Sequence, residues 1–211
     1  MAKDLSPADD LLFKLIFGSQ HSKRVLKHLL NSILAPTGTP IEEIEIENTE
    51  IVPEIFNGRG VRLDVRAKAE DGRLCDIEIQ KANEGDMWER SMYYWASLCS
   101  RHLDKSQGFG LLKKTICINL LEFDITKNGE NKDKFWSIYH VTEDSTGERY
   151  GKDLFEIHFL EMKKVHGVQK DCPITWWIEF LNNPLSDNIK EIVKFEPIIG
   201  EAVDMFNTVS K

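Results

Sequence analysis

The sequence predicts a mixed α/β fold, and three features predict it. Residues 61–80 alternate like a β-hairpin, residues 85–104 carry an amphipathic helical pattern, and KKTICINLLEF at 113–123 is a mainly apolar run with several β-branched members, as in a buried strand. Strand, hairpin, helix and strand in that order belong to a mixed sheet with helices packed on it. A chain of 211 residues with 41% hydrophobic content can bury one full core and is short for two large domains, so a single domain over 1–211 is expected.

The elements follow in order. DDLLFKLIFG (9–18) comes after Ser6-Pro7, places Leu12, Leu15 and Ile16 at helical spacing and stops at Gly18, which predicts a first helix. A second helical run, from about 22 to 34, carries Lys23, Arg24, Lys27 and His28 and ends at Ala35-Pro36, because proline disfavours helical backbone in the residue before it. IEEIEIENTEIV (41–52) alternates Ile44 and Ile46 with polar residues and is rich in glutamate, the pattern of an edge strand. In the 85–104 helix, Met87, Ser91, Tyr94, Trp95, Leu98 and Cys99 fall on or near one face, with Arg90, Arg101 and Lys105 around it. Beyond the strand at 113–123, NGENKDK (128–134) is a solvated loop, and FWSIYHV (135–141) and DLFEIHFLEM (153–162) read as two further strands. The tail is helical over 174–181 and from 188 to about 207, with a break at Pro197; Trp176 and Trp177 read as packing groups.

Composition removes several function classes. A net charge of −8 argues against a general nucleic-acid coat, since phosphate binding rests on Lys and Arg releasing counterions. Residues 1–120 hold 16 basic against 18 acidic residues and the remainder 11 against 17, so a DNA-facing surface belongs to the first part. No stretch approaches the roughly 18 uncharged apolar residues of a membrane helix, and MAKDLSPADD lacks the apolar region of a signal peptide, which predicts a cytoplasmic protein without a membrane partner. Cys75, Cys99, Cys117 and Cys172 show no CxxC or Cys/His spacing and read as small buried hydrophobes. The histidines, His21, His28, His102, His140, His158 and His166, include no HxxxH or HExxH pair; His140 and His158, on alternating strands, read as structural or solvent-facing.

The hairpin VRLDVRAKAEDGRLCDIEIQ is the most informative segment. A two-residue Asp71-Gly72 turn would set Val65 against Glu78 and Asp64 against Ile79, mixing its faces. A three-residue Glu70-Asp71-Gly72 loop, with Gly72 in the left-handed position, separates them. Val65 then faces Ile77, Leu63 faces Ile79 and Ala67 faces Cys75 on an apolar side. On the other side Asp64 faces Glu78, Arg66 faces Asp76 and Arg62 faces Gln80. Directly opposed carboxylates, with Cβ atoms about 4.5–5.5 Å apart, repel and need compensation. Two readings remain open at this point: a divalent cation held by the acids, or a solvated strand face on which Arg62, Arg66 and Lys68 neutralise them.

These residues strongly resemble the PD-(D/E)XK nuclease superfamily and, within it, the transposase-like, recombination-promoting nucleases of bacteria. The matching pieces are DLLFKLIFG, VRLDV, DGRLCDIEIQ and ERSMYYWASL, in that order, covering 9 to about 121, with weaker similarity onward. The resemblance implies a restriction-endonuclease-like α-β-β-β-α-β core over about 9–123, with extra strands and helices over 124–211. It implies that Asp64, Glu78 and the backbone carbonyl of Ile79 bind Mg²⁺ or Mn²⁺, that Asp10 is an auxiliary acid, and that water hydrolyses a DNA phosphodiester with the cation stabilising the developing charge. The superfamily lysine is replaced here by Gln80, a residue usual for this branch, which can orient water but carries no charge. Arg62, expected opposite Gln80, is the candidate to supply that charge, its other reading being neutralisation of Asp64. Arg90 and Lys14 are candidate DNA contacts; Arg90, Tyr93 and Tyr94 lie on the helix beside the site, Tyr94 and Trp95 having a plain core reading, and Lys14 an alternative i,i+4 pairing with Asp10. The expected partner is DNA, a homodimer being left open, and the rival function is a catalytically silent nuclease-fold module that binds DNA or protein.

Overall fold

In a computed structural model that describes residues 5–38, 40–47, 50–51, 61–62, 65–104, 106–128 and 132–210, the alternation of the hairpin and its neighbours becomes a six-stranded mixed sheet. In chain order the elements are α1 (Asp10–Phe17), α2 (Lys23–Leu34), β1 (Ile44–Glu47), β2 (Glu50–Ile51), β3 (Val61–Arg62), β4 (Val65–Ala69), β5 (Leu74–Gln80), α3 (Met87–Cys99), β6 (Thr115–Leu121), β7 (Trp136–Tyr139), β8 (Phe155–Glu161), α4 (Pro173–Asn182), α5 (Asp187–Phe195) and α6 (Pro197–Val209). The sheet runs β1-β4-β5-β6-β8-β7, and β2 with β3 forms a separate two-stranded ladder. The glutamate-rich strand is an edge, as its composition predicts. The chain divides into two compact units, residues 1–46 with 165–211, and residues 47–164.

In the 47–164 unit, β5, β6 and β8 are parallel and central, flanked by the antiparallel partners β4 and β7. Central strands lie between covered faces, and all seven residues of β6 are buried. The β4–β5 register is the one predicted: Val65 opposes Ile77, Arg66 opposes Asp76 and Ala67 opposes Cys75. Gly72 closes the loop at φ +89°, a left-handed conformation that side chains resist, while its N–H donates to Ala69 O at 2.9 Å. Parallel pairing then puts Asp76 beside Cys117 and Glu78 beside Asn119, and through β6 beside Ile157 and Phe159.

Helix α3 covers this face. Met87 packs with Cys117, Leu121, Ile157 and Phe159, and Leu98 packs on Leu74 with Tyr94. Polar ties fix its rotation: Trp95 Nε1 donates to Thr115 O at 3.0 Å, and Ser91 Oγ lies 3.1 Å from Asn119 Oδ1, whose own amide donates to His158 O.

The other unit is helical. Phe17, Trp177 and Phe180 meet edge-on with ring centroids 5.7–6.4 Å apart, and Trp177 Nε1 donates to His28 Nδ1 at 3.0 Å. Asn31 on α2 clamps the following chain through two bonds to the Ile41 backbone, 2.8 and 2.9 Å long. Pro173 and Pro197 sit in the first turns of α4 and α6, where a missing N–H costs nothing, and the Ser186 hydroxyl caps α5 by accepting from Ile189 N–H. No helix among the described residues is long and apolar enough to cross a membrane.

Candidate active site

Strand alternation places Leu74, Asp76, Glu78 and Gln80 of β5 on the face covered by α3, and it is the helix that turns a row of acids into a site. Asp76 is 0% and Glu78 2% exposed. The solvated strand face weighed in the sequence does not form, because α3 shields the acids and β4 brings Arg66 across from Asp76 in a buried position. Arg66 is held from the edge strand: its Nη2 lies 2.7 Å from Glu47 Oε2. Ionisable groups so placed cost several kcal/mol each to carry in charged form, so their clustering in the sheet interior is the kind of arrangement found at functional sites.

Polar groups of β5 and α3 share the face that holds Glu78. Gln80, half-buried, points its amide nitrogen at Glu78 Oε2 at 3.4 Å. Arg90 and Tyr94 are one turn apart on α3, and the guanidinium carbon lies 5.3 Å from the tyrosine ring centroid. Burial, and then the Glu78 carboxylate, raise the Tyr94 hydroxyl above its ordinary pKa, against the charge and hydrogen bond of Arg90. Beneath them Cys117 is pushed well up by burial and by Asp76 and Glu78, so its thiol stays protonated and acts as packing.

Glu78, Ile79 and Gln80 thus lie on β5, and Arg90 on α3, which covers that face. The Ile79 side chain lies on the opposite face, leaving only its carbonyl as a ligand atom for this site. Asp64 lies outside the described residues. Arg62 pairs through its backbone with Glu50 in the β2–β3 ladder, and its predicted facing to Gln80 is not among the ladder pairs of the described residues. Asp10 is exposed in the first turn of α1, where its charge complements the helix dipole, and Lys14 is half-buried one turn on; both belong to the helical unit. Sequence reasoning treated Tyr94 as secondary and did not find the Arg66–Glu47 pair. The Arg90–Tyr94 spacing of four on a helix is the signal that was available for the stack; nothing local links residue 47 to residue 66.

A second polar cluster sits on the other face of the sheet. One ligand atom each from His140, Asp153 and Glu156 lies within 4.8 Å of the others, a spacing able to hold a metal ion. Lys114 already bridges the two acids, with Nζ 2.8 Å from Asp153 Oδ2 and 2.6 Å from Glu156 Oε2. Trp136 Nε1 donates to His158 Nδ1, so the His158 Nε2–H donates to Glu156 Oε1 at 2.7 Å. Burial works against the Glu156 charge, yet His158 and Lys114 hold its pKa down to about 2. With an ammonium in the cation's place, this cluster is an ion-pair network, and His158 is structural, one of the two readings given for it.

The donors near Glu78 fit a hard divalent cation. A carboxylate, an amide oxygen and a backbone carbonyl are oxygen ligands of the kind Mg²⁺ and Mn²⁺ take, and the Cys117 thiol, held protonated, offers no soft ligand. In comparison with known proteins, a family model described as PD-(D/E)XK nuclease family transposase matches residues 7–211. No curated protein and no solved structure matches the chain.

Proposed function

Because the chain belongs to the PD-(D/E)XK nuclease family transposases, we propose that it is a divalent-metal-dependent DNA endonuclease serving transposition or recombination in the cytoplasm. The observation that carries this reading is Glu78: a carboxylate 2% exposed on a central strand, with the Gln80 amide nitrogen 3.4 Å from its Oε2 and its charge felt at the Tyr94 hydroxyl.

Glu78, the Ile79 carbonyl and Asp64 are the cation's ligands. Bound there, Mg²⁺ or Mn²⁺ supplies Lewis-acid polarisation of the phosphate and a lowered pKa for water. Gln80 offers both a donor and an acceptor, so it orients the attacking water, a task that geometry alone can serve. Arg90, stacked on Tyr94 and so restricted in rotamer, presents a fork of N–H groups to a phosphate oxygen; Lys14 is a second phosphate contact and Asp10 an auxiliary acid. Arg62 supplies positive charge in place of the superfamily lysine, and Arg62→Ala protein that cuts at the wild-type rate removes it from the reaction.

The test is cleavage of supercoiled plasmid and single-stranded DNA with Mg²⁺, Mn²⁺ or EDTA, comparing wild type with Asp64→Ala and Glu78→Ala, each checked for folding by circular dichroism. Metal-dependent cutting is expected to fall at least about 100-fold in both variants, beyond the 10–100-fold typical of outer-shell residues. Cutting that survives both changes defeats the assignment of the site, and a wild type inert with every metal supports the silent module.

A further inference from the structure

Beneath the C-terminal end of α3, a cavity of about 440 Å³ opens between β4 and the chain leaving the helix. Its lining includes Arg66, Lys68, Arg101 and His102, against Glu47 and Asp104. The Arg66 side chain is 9% exposed, and its Nε and Nη1 have no hydrogen-bond partner among the described residues, the Glu47 carboxylate reaching only Nη2. A buried guanidinium with unmet donors is costly unless an acceptor arrives. The helix end does not supply one: Ala96 O, Leu98 O and Cys99 O accept from the backbone N–H groups of Ser100, Arg101 and His102. Three permanent cations, Arg66, Lys68 and Arg101, line it against two acids, and burial, then Arg66 for Arg101 and Lys68 for His102, lower those two groups' pKa values against the Glu47 carboxylate.

We infer that this cavity binds a phosphate group of the DNA strand, with Arg66 as the buried fork and Lys68 and Arg101 as the charges at its mouth. The inference rests on the nuclease reading for its choice of ligand. It gives a chain of net charge −8 a local cationic hold on a polyanion, on the same sheet face as Glu78 and displaced toward the hairpin tip.

The experiment is fluorescence anisotropy of labelled single-stranded and duplex DNA in EDTA, which reads binding without cutting. Lys68→Glu and Arg101→Glu are compared with wild type and with Lys170→Glu, an exposed charge reversal in the other unit. The two cavity variants are expected to weaken binding at least about tenfold and to lower the salt slope by about 1 each, with Lys170→Glu within about twofold of wild type. Cavity variants that bind like Lys170→Glu overturn the inference. Inorganic phosphate or a mononucleotide that raises the melting temperature of wild type but not of the variants, while DNA binding is unchanged by them, assigns the cavity to a free phosphate compound and overturns the DNA strand as its ligand. Plasmid cutting run in parallel separates the two readings: a wild type that cuts with cavity variants that bind normally sinks this inference alone, and a wild type that never cuts with variants that lose binding sinks the nuclease alone.

Discussion

Glu156 is buried on β8 between His158 and Lys114, and its charge is a stability term with a defined pH window. Its pKa falls from an ordinary 4.5 to about 2 in the fold, and that of Asp153, bonded to Lys114 and Arg149 against a burial penalty, moves in the same direction. A depressed carboxylate stabilises the fold fully above its unfolded pKa and loses that contribution as pH falls through the folded value. Glu156→Gln is therefore expected to lower stability at neutral pH by about 3 kcal/mol, with the deficit shrinking as pH falls from 4.5 toward 2. Urea denaturation of both proteins across that range measures it; a deficit independent of pH assigns the loss to packing instead. At the same scale Glu78 was legible in the sequence, because a carboxylate two residues before Gln80 on an alternating strand must share its face. Its depth was not legible, because alternation names a face without saying what covers it.

Among the elements, the β4–β5 hairpin was the most completely readable. Only the three-residue loop separates apolar from charged side chains, so the pairing of Arg66 with Asp76 followed from the requirement that one face be buried. Gly72 carries that register at φ +89°. Gly72→Val forces a β-branched side chain into the left-handed region and brings Cβ to 3.0 Å from the Lys113 side chain, which can yield, so the cost is mainly backbone strain of about 1–3 kcal/mol. A urea midpoint unchanged in Gly72→Val would show that the loop tolerates another conformation; Gly72→Asn is expected to lose less, because Asn visits this region more readily. Helix α3 was readable by period, yet its polar contacts were not: Ser91 meets Asn119 at a separation of 28 residues, and no local pattern encodes a partner that far along the chain.

Across the whole molecule, the helical unit is centred on Trp177, 0% exposed, with its indole N–H bonded to His28 on α2. Trp177→Ala removes a filled aromatic volume and leaves the imidazole without its donor, an expected loss of about 3–5 kcal/mol by urea denaturation. A smaller loss would mean that the neighbouring phenylalanines collapse into the space. The sequence by itself determined the helices, the main strands, the register of the β4–β5 hairpin and the face that holds Asp76, Glu78 and Gln80. Each of these follows from a local rule: a period of two or of 3.6, a proline that ends a helix, a glycine that permits a turn. The same rules read 41–52 as one edge strand and 61–80 as one hairpin, whereas Glu50–Ile51 and Val61–Arg62 pair with each other in a separate ladder. Tertiary structure alone decided that α3 seals the acidic face, that Arg66 answers Glu47 on the edge strand, and that Lys114 reaches Asp153 across 39 residues. Those pairings arise where the sheet brings distant segments within hydrogen-bond range, and burial then makes each unmet charge costly enough to select its partner.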